Sequence, residues 1–151
     1  HWGHVFERSA QPFDHAFFER DGFIYDTEPP SRAIVALHSL AKDVSLAALK
    51  AVHRAFYAEN RDVTDREVLA DIAEELGQDR DAFLTAFDLD DNRTATQRGF
   101  DFSRSINVTG FPTLLAGDND NGYRALTQGY QSWEDIQPAL DAYLAEPEIQ
   151  V

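Results

Sequence analysis

The sequence predicts an α/β fold in which four or five helices precede a β-hairpin and a closing helix. Three observations carry this reading. Apolar residues recur at spacings of three and four from Ile34 to Phe87, with capping residues ahead of the runs. A Gly110-Phe111-Pro112-Thr113 turn then leads into two short apolar stretches separated by Gly117-Asp118-Asn119-Asp120-Asn121-Gly122. After the second stretch, Ile136, Leu140, Tyr143 and Leu144 return to helical spacing.

The first helix follows Asp26-Thr27-Glu28-Pro29-Pro30-Ser31, where Thr27 can cap and the prolines suit a first turn that has no backbone donors to satisfy. Ile34, Leu37, His38 and Ala41 share its expected core face, widened by Val35 and Leu40. Ser45 can cap the second helix, which places Leu46, Leu49, Val52 and Phe56 on one side and ends near Glu59-Asn60. Thr64-Asp65-Arg66-Glu67 reads as a capping box for the third, with Val68, Leu69, Ile72, Ala73 and Leu76 inward and Gly77 as the stop. Asp79 opens a short helix through Ala82, Phe83 and Phe87. A longer polar helix is expected over 91–105, anchored by Phe100 and Phe102.

Thr113 to Ala116 and Tyr123 to Leu126 form the expected hairpin. Ser132-Trp133-Glu134-Asp135 starts another cap, but Pro138 lies too deep for a first turn, so a short turn and then a helix from Pro138 to Leu144 are expected, with Pro147 ending it. A lone hairpin is marginal in water and leaves two edges open. A further strand is therefore expected, either from Phe23-Ile24-Tyr25 or, preferably, from polypeptide outside this sequence. The expected division is a mainly helical domain over 1–106 and a hairpin-plus-helix domain over 107–151, with no internal repeat or low-complexity tract.

A chain of 151 residues suits one ordinary domain, large enough to bury roughly 70% of its unfolded surface. No apolar run approaches the ~20 residues that span a bilayer, so no membrane segment is expected. Thirteen Lys and Arg face 27 Asp and Glu, and the resulting charge of -14 repels phosphate backbones and anionic membranes, arguing against a nucleic-acid partner. These acidic residues are dispersed, as on a solvated surface. The absence of Cys excludes a disulfide framework and a thiolate zinc site within the chain. Because the sequence starts at His1 and contains no Met, a processed or partial chain is expected, and residues 1–6 lack the basic-then-apolar pattern of a secretory signal.

Pro112 admits two readings. It is either a trans residue starting an edge strand, or a cis residue held by the turn that leaves backbone groups of Thr109 to Phe111 free to pair with an extended substrate. His1, His4 and His15 permit a metal site on paper, yet no carboxylate joins them at a ligand spacing, so surface histidines and no metal or cofactor are expected. His38 and His53 are expected as hydrogen-bonded core histidines rather than bases. Asp118 to Gly122 approaches a calcium-loop pattern, but its Gly comes one position early and no Glu holds the twelfth, so a hairpin turn is expected.

The stretch from His53 to Leu69, continuing from Glu75 to Phe83, resembles the helical insertion of DsbA-like thioredoxin-fold proteins. It shares the aromatic pair Phe56-Tyr57, the Arg61-Asp62 turn, the capping box and the Leu76-Gly77-Gln78-Asp79 link. Val108 to Leu115, the hairpin and the last helix are similar to the family's cis-proline loop and the C-terminal half of its sheet. Glu28 to Ala33 and Gly110 to Thr113 further resemble the predicted protein-disulfide isomerase branch, related to FrnE-like proteins, and the likeness runs from about Gln11 to Leu144.

The resemblance implies a thioredoxin-like fold with an all-helical insertion, and a thiol-disulfide oxidoreductase or isomerase. The family's first strand, its Cys-x-x-Cys helix and the strand structure beyond have no counterpart in residues 1–25, so that segment is expected to be absent and no catalytic residue lies in this chain. Carried over by position, Thr109, Gly110, Phe111, Pro112 and Thr113 would bind substrate, with Phe111 near the thiol pair and Pro112 keeping the loop open. The implied partners are thiol- or disulfide-containing proteins or peptides and glutathione, in the cytoplasm. Two alternatives stand beside this. One is a thiol-free peptide-binding thioredoxin-like module. The other is a glutathione-dependent kappa-like isomerase or transferase, disfavoured because Gly129-Tyr130-Gln131-Ser132-Trp133 stands where that branch carries a Gly-x-Asp-Arg-like signature.

Overall fold

The computed structural model describes residues 2–146. It divides into two compact units, one ending at Arg98 and the other beginning at Gly99. The chain is mostly helical with one two-stranded antiparallel sheet among the described residues.

In the first unit, α1 (Trp2–Ser9) and a 3-10 turn (His15–Glu19) precede α2 (Glu28–Leu40), α3 (Ser45–His53), α4 (Arg66–Glu75) and α5 (Arg80–Asp88). Helix α2 packs against α3, α4 and α5. The contact surfaces are rich in alanine: Ala33, Ala36, Ala48, Ala70 and Ala73 are fully buried, which lets the backbones approach closely. Leu37, Leu69, Ile72 and Phe83 fill the remaining core. Their burial stabilises the unit by roughly 1.5–3 kcal/mol per side chain, before the entropy of ordering is set against it.

Several local expectations shift by a residue or a face. The buried side of α2 runs through Arg32, Ala33, Ala36 and Leu37, so His38 and Leu40 point outward. Thr27 makes no side-chain cap, and Asp26 instead accepts from the Glu28 N–H at 2.9 Å. Ser45 is the first residue of α3 rather than its cap, because its hydroxyl is 2.7 Å from His38 Nδ1. Ala48, Val52, Ala55 and Phe56 carry the buried face there, leaving Leu46 81% exposed. Asp65, not Thr64, caps α4 by accepting from the Glu67 N–H at 2.8 Å, while the Thr64 hydroxyl is held by Asp62 at 2.6 Å. Gly77 stops α4 as expected, at φ +77°, where a side chain would strain the backbone. Asp79 caps α5 through the Ala82 N–H at 2.8 Å.

Beyond α3 the helix widens into a π turn over Arg54–Ala58. Sequence periodicity gives no sign of it, and none of the aromatic packing it organises. Trp2, Phe13, Phe17, Phe23 and Tyr25 gather on Phe56 and Tyr57 with ring centroids 4.9–6.3 Å apart. The backbone is tied to the same turn by Asp14 N–H donating to Tyr57 O at 2.7 Å and by Arg20 donating to Asn60 O. Phe23-Ile24-Tyr25 forms no strand. Phe23 and Tyr25 serve the aromatic cluster and Ile24 is 79% exposed.

Helix α6 (Asp90–Ser105) contains the boundary between the units. Its buried residues are Asn92 and Thr96 rather than Phe100 and Phe102. Polar groups tolerate that burial because Asn92 Nδ2 donates to Ala86 O at 2.7 Å and the Thr96 hydroxyl donates to Asn92 O at 2.8 Å. Phe102, exposed, packs edge-on against Tyr123.

In the second unit, β1 (Thr113–Asp118) and β2 (Gly122–Gln128) pair from Thr113↔Gln128 to Asp118↔Gly122. Leu114 pairs with Thr127 and Leu115 with Ala125, so Leu126 is the extra residue of a bulge. Residues 118–122 close the hairpin as expected. Asp118 accepts from the N–H groups of Asp120 at 2.9 Å and Asn121 at 2.7 Å, and these bonds hold its carboxyl below the usual range. Helix α7 (Trp133–Leu144) packs on β2 and is continuous, correcting the expected start at Pro138. Ser132 caps it through the Asp135 N–H, and Pro138 sits inside. The exposed proline removes one hydrogen bond, from a carbonyl at Glu134 that water can reach. Ile136, Ala139, Leu140 and Tyr143 are half-buried while Leu144 is exposed. Pro147 lies outside the described residues.

Candidate functional site

The loop between α6 and β1 begins where the helix is brought to a stop. Asn107 adopts φ +59°, its N–H donates to Arg104 O at 3.1 Å, and Val108 N–H reaches back to Ser103 O at 3.0 Å. This is a Schellman termination, and Asn is among the few non-glycine residues that accept its left-handed position. The other end of the loop is fixed by the sheet. Thr113 pairs with Gln128, and Gly129 N–H donates to Pro112 O at 2.8 Å.

Between these anchors the Phe111–Pro112 peptide is cis rather than trans. The Thr113 hydroxyl donates to Gly110 O at 2.7 Å and braces the turn from inside. Backbone N–H and C=O groups of Thr109 and Phe111, and the N–H of Gly110, take no partner among the described residues. Phe111 is 84% exposed, and Thr109, Gly110 and Pro112 are exposed beside it. A large apolar side chain in water next to unpaired peptide groups offers an extended chain both main-chain hydrogen bonds and one apolar contact.

A shallow cleft opens on this loop, lined by Asn107 to Phe111, Thr113, Gln128 and Gly129. Of the residues singled out in the sequence, Thr109, Gly110, Phe111 and Thr113 line this cleft and Pro112 does not, while Asn107, Val108, Gln128 and Gly129 complete the lining. The signals for the added residues were present. Asn107 stands just past a helix end, and Gln128-Gly129 follows a strand whose register sets it opposite Thr113. No lining residue carries a charge.

The histidines do not join this loop. His4 lies 3.6 Å from Glu7 on an exposed helix, His15 stacks near Trp2 and Phe18, and His1 lies outside the described residues. Among the described residues no group of His, Cys, Asp and Glu could hold a metal ion. His38 is hydrogen-bonded but exposed, correcting its expected place in the core. His53 packs edge-on against Tyr57 but is exposed too, correcting its expected place in the core, and partial desolvation against that ring lowers its pKa from the ordinary 6.5. The Tyr57 hydroxyl, 3.4 Å from that of Tyr25, is pushed up to about 12 by burial and by that contact. These groups serve the aromatic cluster. No described helix is long and apolar enough to cross a membrane.

Comparison with known proteins adds the following. A family model described as a DSBA-like thioredoxin domain matches residues 15–141. A Nitrosomonas europaea protein, inferred to be a protein disulfide isomerase, is 30% identical and superimposes with a TM-score of 0.91, over 95% of this chain and 70% of that one. The cytosolic disulfide reductase DsbM from Pseudomonas aeruginosa, in its structure with GSH, is 26% identical with a TM-score of 0.75, over 93% of this chain and 72% of its own. A second structure of DsbM, 24% identical at a TM-score of 0.76, shares the fold. No curated protein matches the chain.

Proposed function

The chain belongs to the DSBA-like thioredoxin family, and from that premise we propose that it supplies the substrate-holding loop and the helical cap of a thiol-disulfide oxidoreductase or isomerase. The observation that carries this reading is that the N–H groups of Thr109 to Phe111 and the carbonyls of Thr109 and Phe111 take no partner among the described residues, beside an exposed Phe111 side chain. An extended segment of a protein or peptide lies along that backbone, and Phe111 covers its apolar part. The loop's contribution is positional. It holds a disulfide or thiol in place while sulfur chemistry takes place on groups that the 151 residues do not contain.

In such exchange a thiolate attacks one sulfur of the substrate disulfide, a mixed disulfide forms, and the other sulfur leaves as a thiolate. DsbM, which shares the fold, is a disulfide reductase and has been seen with GSH, so disulfide-bonded peptides and glutathione are the two substrate classes to compare at this loop. The absence of cysteine favours one further reading, a module that holds peptides without exchanging thiols.

The test is exchange with a disulfide-bonded peptide by a polypeptide carrying both this chain and a Cys-x-x-Cys pair. Phe111→Ala should lower kcat/KM about tenfold with folding unchanged. Equal rates in the variant and the unaltered sequence would sink the loop's role. Peptide binding by the cysteine-free chain, with no exchange by the joined polypeptide, would support the thiol-free module.

A further inference from the structure

We infer that this loop selects cationic or neutral extended peptides and discriminates against anionic thiols such as glutathione; the inference rests on the loop being the substrate-binding element. The first observation is the lining of the cleft. Asn107, Thr109, Thr113 and Gln128 offer amides and hydroxyls, Val108 and Phe111 offer apolar surface, and no Lys, Arg or His is present to meet a carboxylate.

The second observation is the net charge of the second unit. From Gly99 to Glu146 the second unit holds seven carboxylates and two guanidiniums. Both guanidiniums are already engaged: Arg104 with Asp101, and Arg124 with Glu146 at 2.9 Å while lying over the Tyr143 ring. A ligand's carboxylate would have to displace one of these carboxylates to gain an ion pair.

A third observation concerns the start of α7, which follows Gly129 by three residues. A helix N-terminus attracts anions through its unpaired N–H groups and its dipole. Here Ser132 caps the Asp135 N–H, and Glu134 and Asp135 place two carboxylates in the first turn. The end that could bind an anion is therefore occupied by the protein's own negative charge. Glutathione brings two carboxylates and one ammonium, so it gains no ion pair at the cleft and is repelled by the unit's net charge. A peptide with lysines flanking its cysteine gains from the same field, and its backbone pairs with Thr109 to Phe111 as any extended segment would.

The test uses the full chain, isotopically labelled, and ligands that cannot exchange. These are extended peptides with S-methylcysteine flanked by Lys, Ala or Glu, together with S-methylglutathione. Chemical-shift titration of the Thr109, Gly110, Phe111 and Gln128 amides gives each Kd. The Lys-flanked peptide should bind about tenfold more tightly than the Glu-flanked one at low ionic strength, with S-methylglutathione weakest and the spread shrinking as salt is added. Glu134→Gln, on an exposed side chain, should narrow the spread by raising affinity for S-methylglutathione and the Glu-flanked peptide. Equal affinities, or tighter binding of the anionic ligands, would overturn the selectivity and leave the loop reading intact. Absence of any shift at the loop with every ligand would overturn both.

Discussion

The Arg32 guanidinium lies over the Phe87 ring, 4.0 Å from its centroid, in a residue that is almost fully buried. Its Nε is 3.1 Å from the Glu28 carboxylate one helical turn earlier, so the charge is paired as well as stacked. This contact joins α2 to α5 through one side chain. A buried guanidinium needs such partners, because an unpaired charge in a core costs more than its packing returns.

Arg32→Ala should therefore lower unfolding free energy by about 2–3 kcal/mol, read from the urea midpoint. Arg32→Lys keeps the charge but loses the flat stacking surface and should cost about 1 kcal/mol. Equal stability in all three proteins would contradict the stacking.

Gly117 is confined by its neighbours across the hairpin. It adopts φ +144°, and an added Cβ would collide with the Gly122 carbonyl oxygen and press on Tyr123 Cα at 2.9 Å. Both obstacles are backbone, so neither can swing aside. Gly117→Ala should destabilise the second unit by about 2–4 kcal/mol and collapse the cross-strand amide protection between β1 and β2. Gly99→Ala is the control. No atom stands within 4 Å of a Cβ at Gly99, which lies inside α6, so this change should raise stability by up to about 1 kcal/mol.

Partial desolvation lowers the His53 pKa below 6.5, so the unfolded chain binds that proton more tightly than the folded one. Its contribution to stability is full above pH 6.5 and declines as pH falls from there toward the depressed folded value. His53→Gln should remove that part of the pH dependence, leaving the acid-range loss due to carboxylates such as Asp88, which Arg66 holds low. Thermal melts of both proteins from neutral to mildly acid pH, together with the histidine NMR titration, measure it. An unchanged stability profile in His53→Gln would refute the assignment.

Phe111 and Thr113 should separate binding from folding. Phe111 is too exposed to matter for stability, and its replacement by Ala should shift unfolding by less than about 0.5 kcal/mol while weakening peptide binding about tenfold. Thr113→Val removes the hydroxyl that braces Gly110 O, and should loosen the loop and weaken binding several-fold without unpairing the strands. Titration calorimetry beside thermal melts distinguishes these effects. A fall in stability as large as the fall in affinity for Phe111→Ala would speak for a structural role.

The turn before β1 was legible because few sequences place Gly, an aromatic and Pro before a strand unless the chain turns there. Gly77 and Asp79 likewise marked their helix boundaries correctly. Caps drifted by one residue where acceptors crowd together: Asp62, Thr64 and Asp65 all compete at the start of α4, and only geometry shows that Thr64 is taken by Asp62. In α6 hydrophobicity points to Phe100 and Phe102 as anchors, whereas Asn92 and Thr96 are the buried residues, their polar groups donating to the carbonyls of Ala86 and Asn92. The aromatic cluster around Phe56 was hidden for a different reason. It joins residues far apart in sequence through a π turn, and no local period encodes either.

Hydrogen exchange at the loop tests the central claim most directly. With a saturating extended S-methylcysteine peptide, the Thr109, Gly110 and Phe111 amides, which have no partner among the described residues, should become protected about tenfold or more while the α2–α5 core is unchanged. Unaltered exchange at those three amides in the presence of bound peptide would contradict the loop as the place where substrate is held.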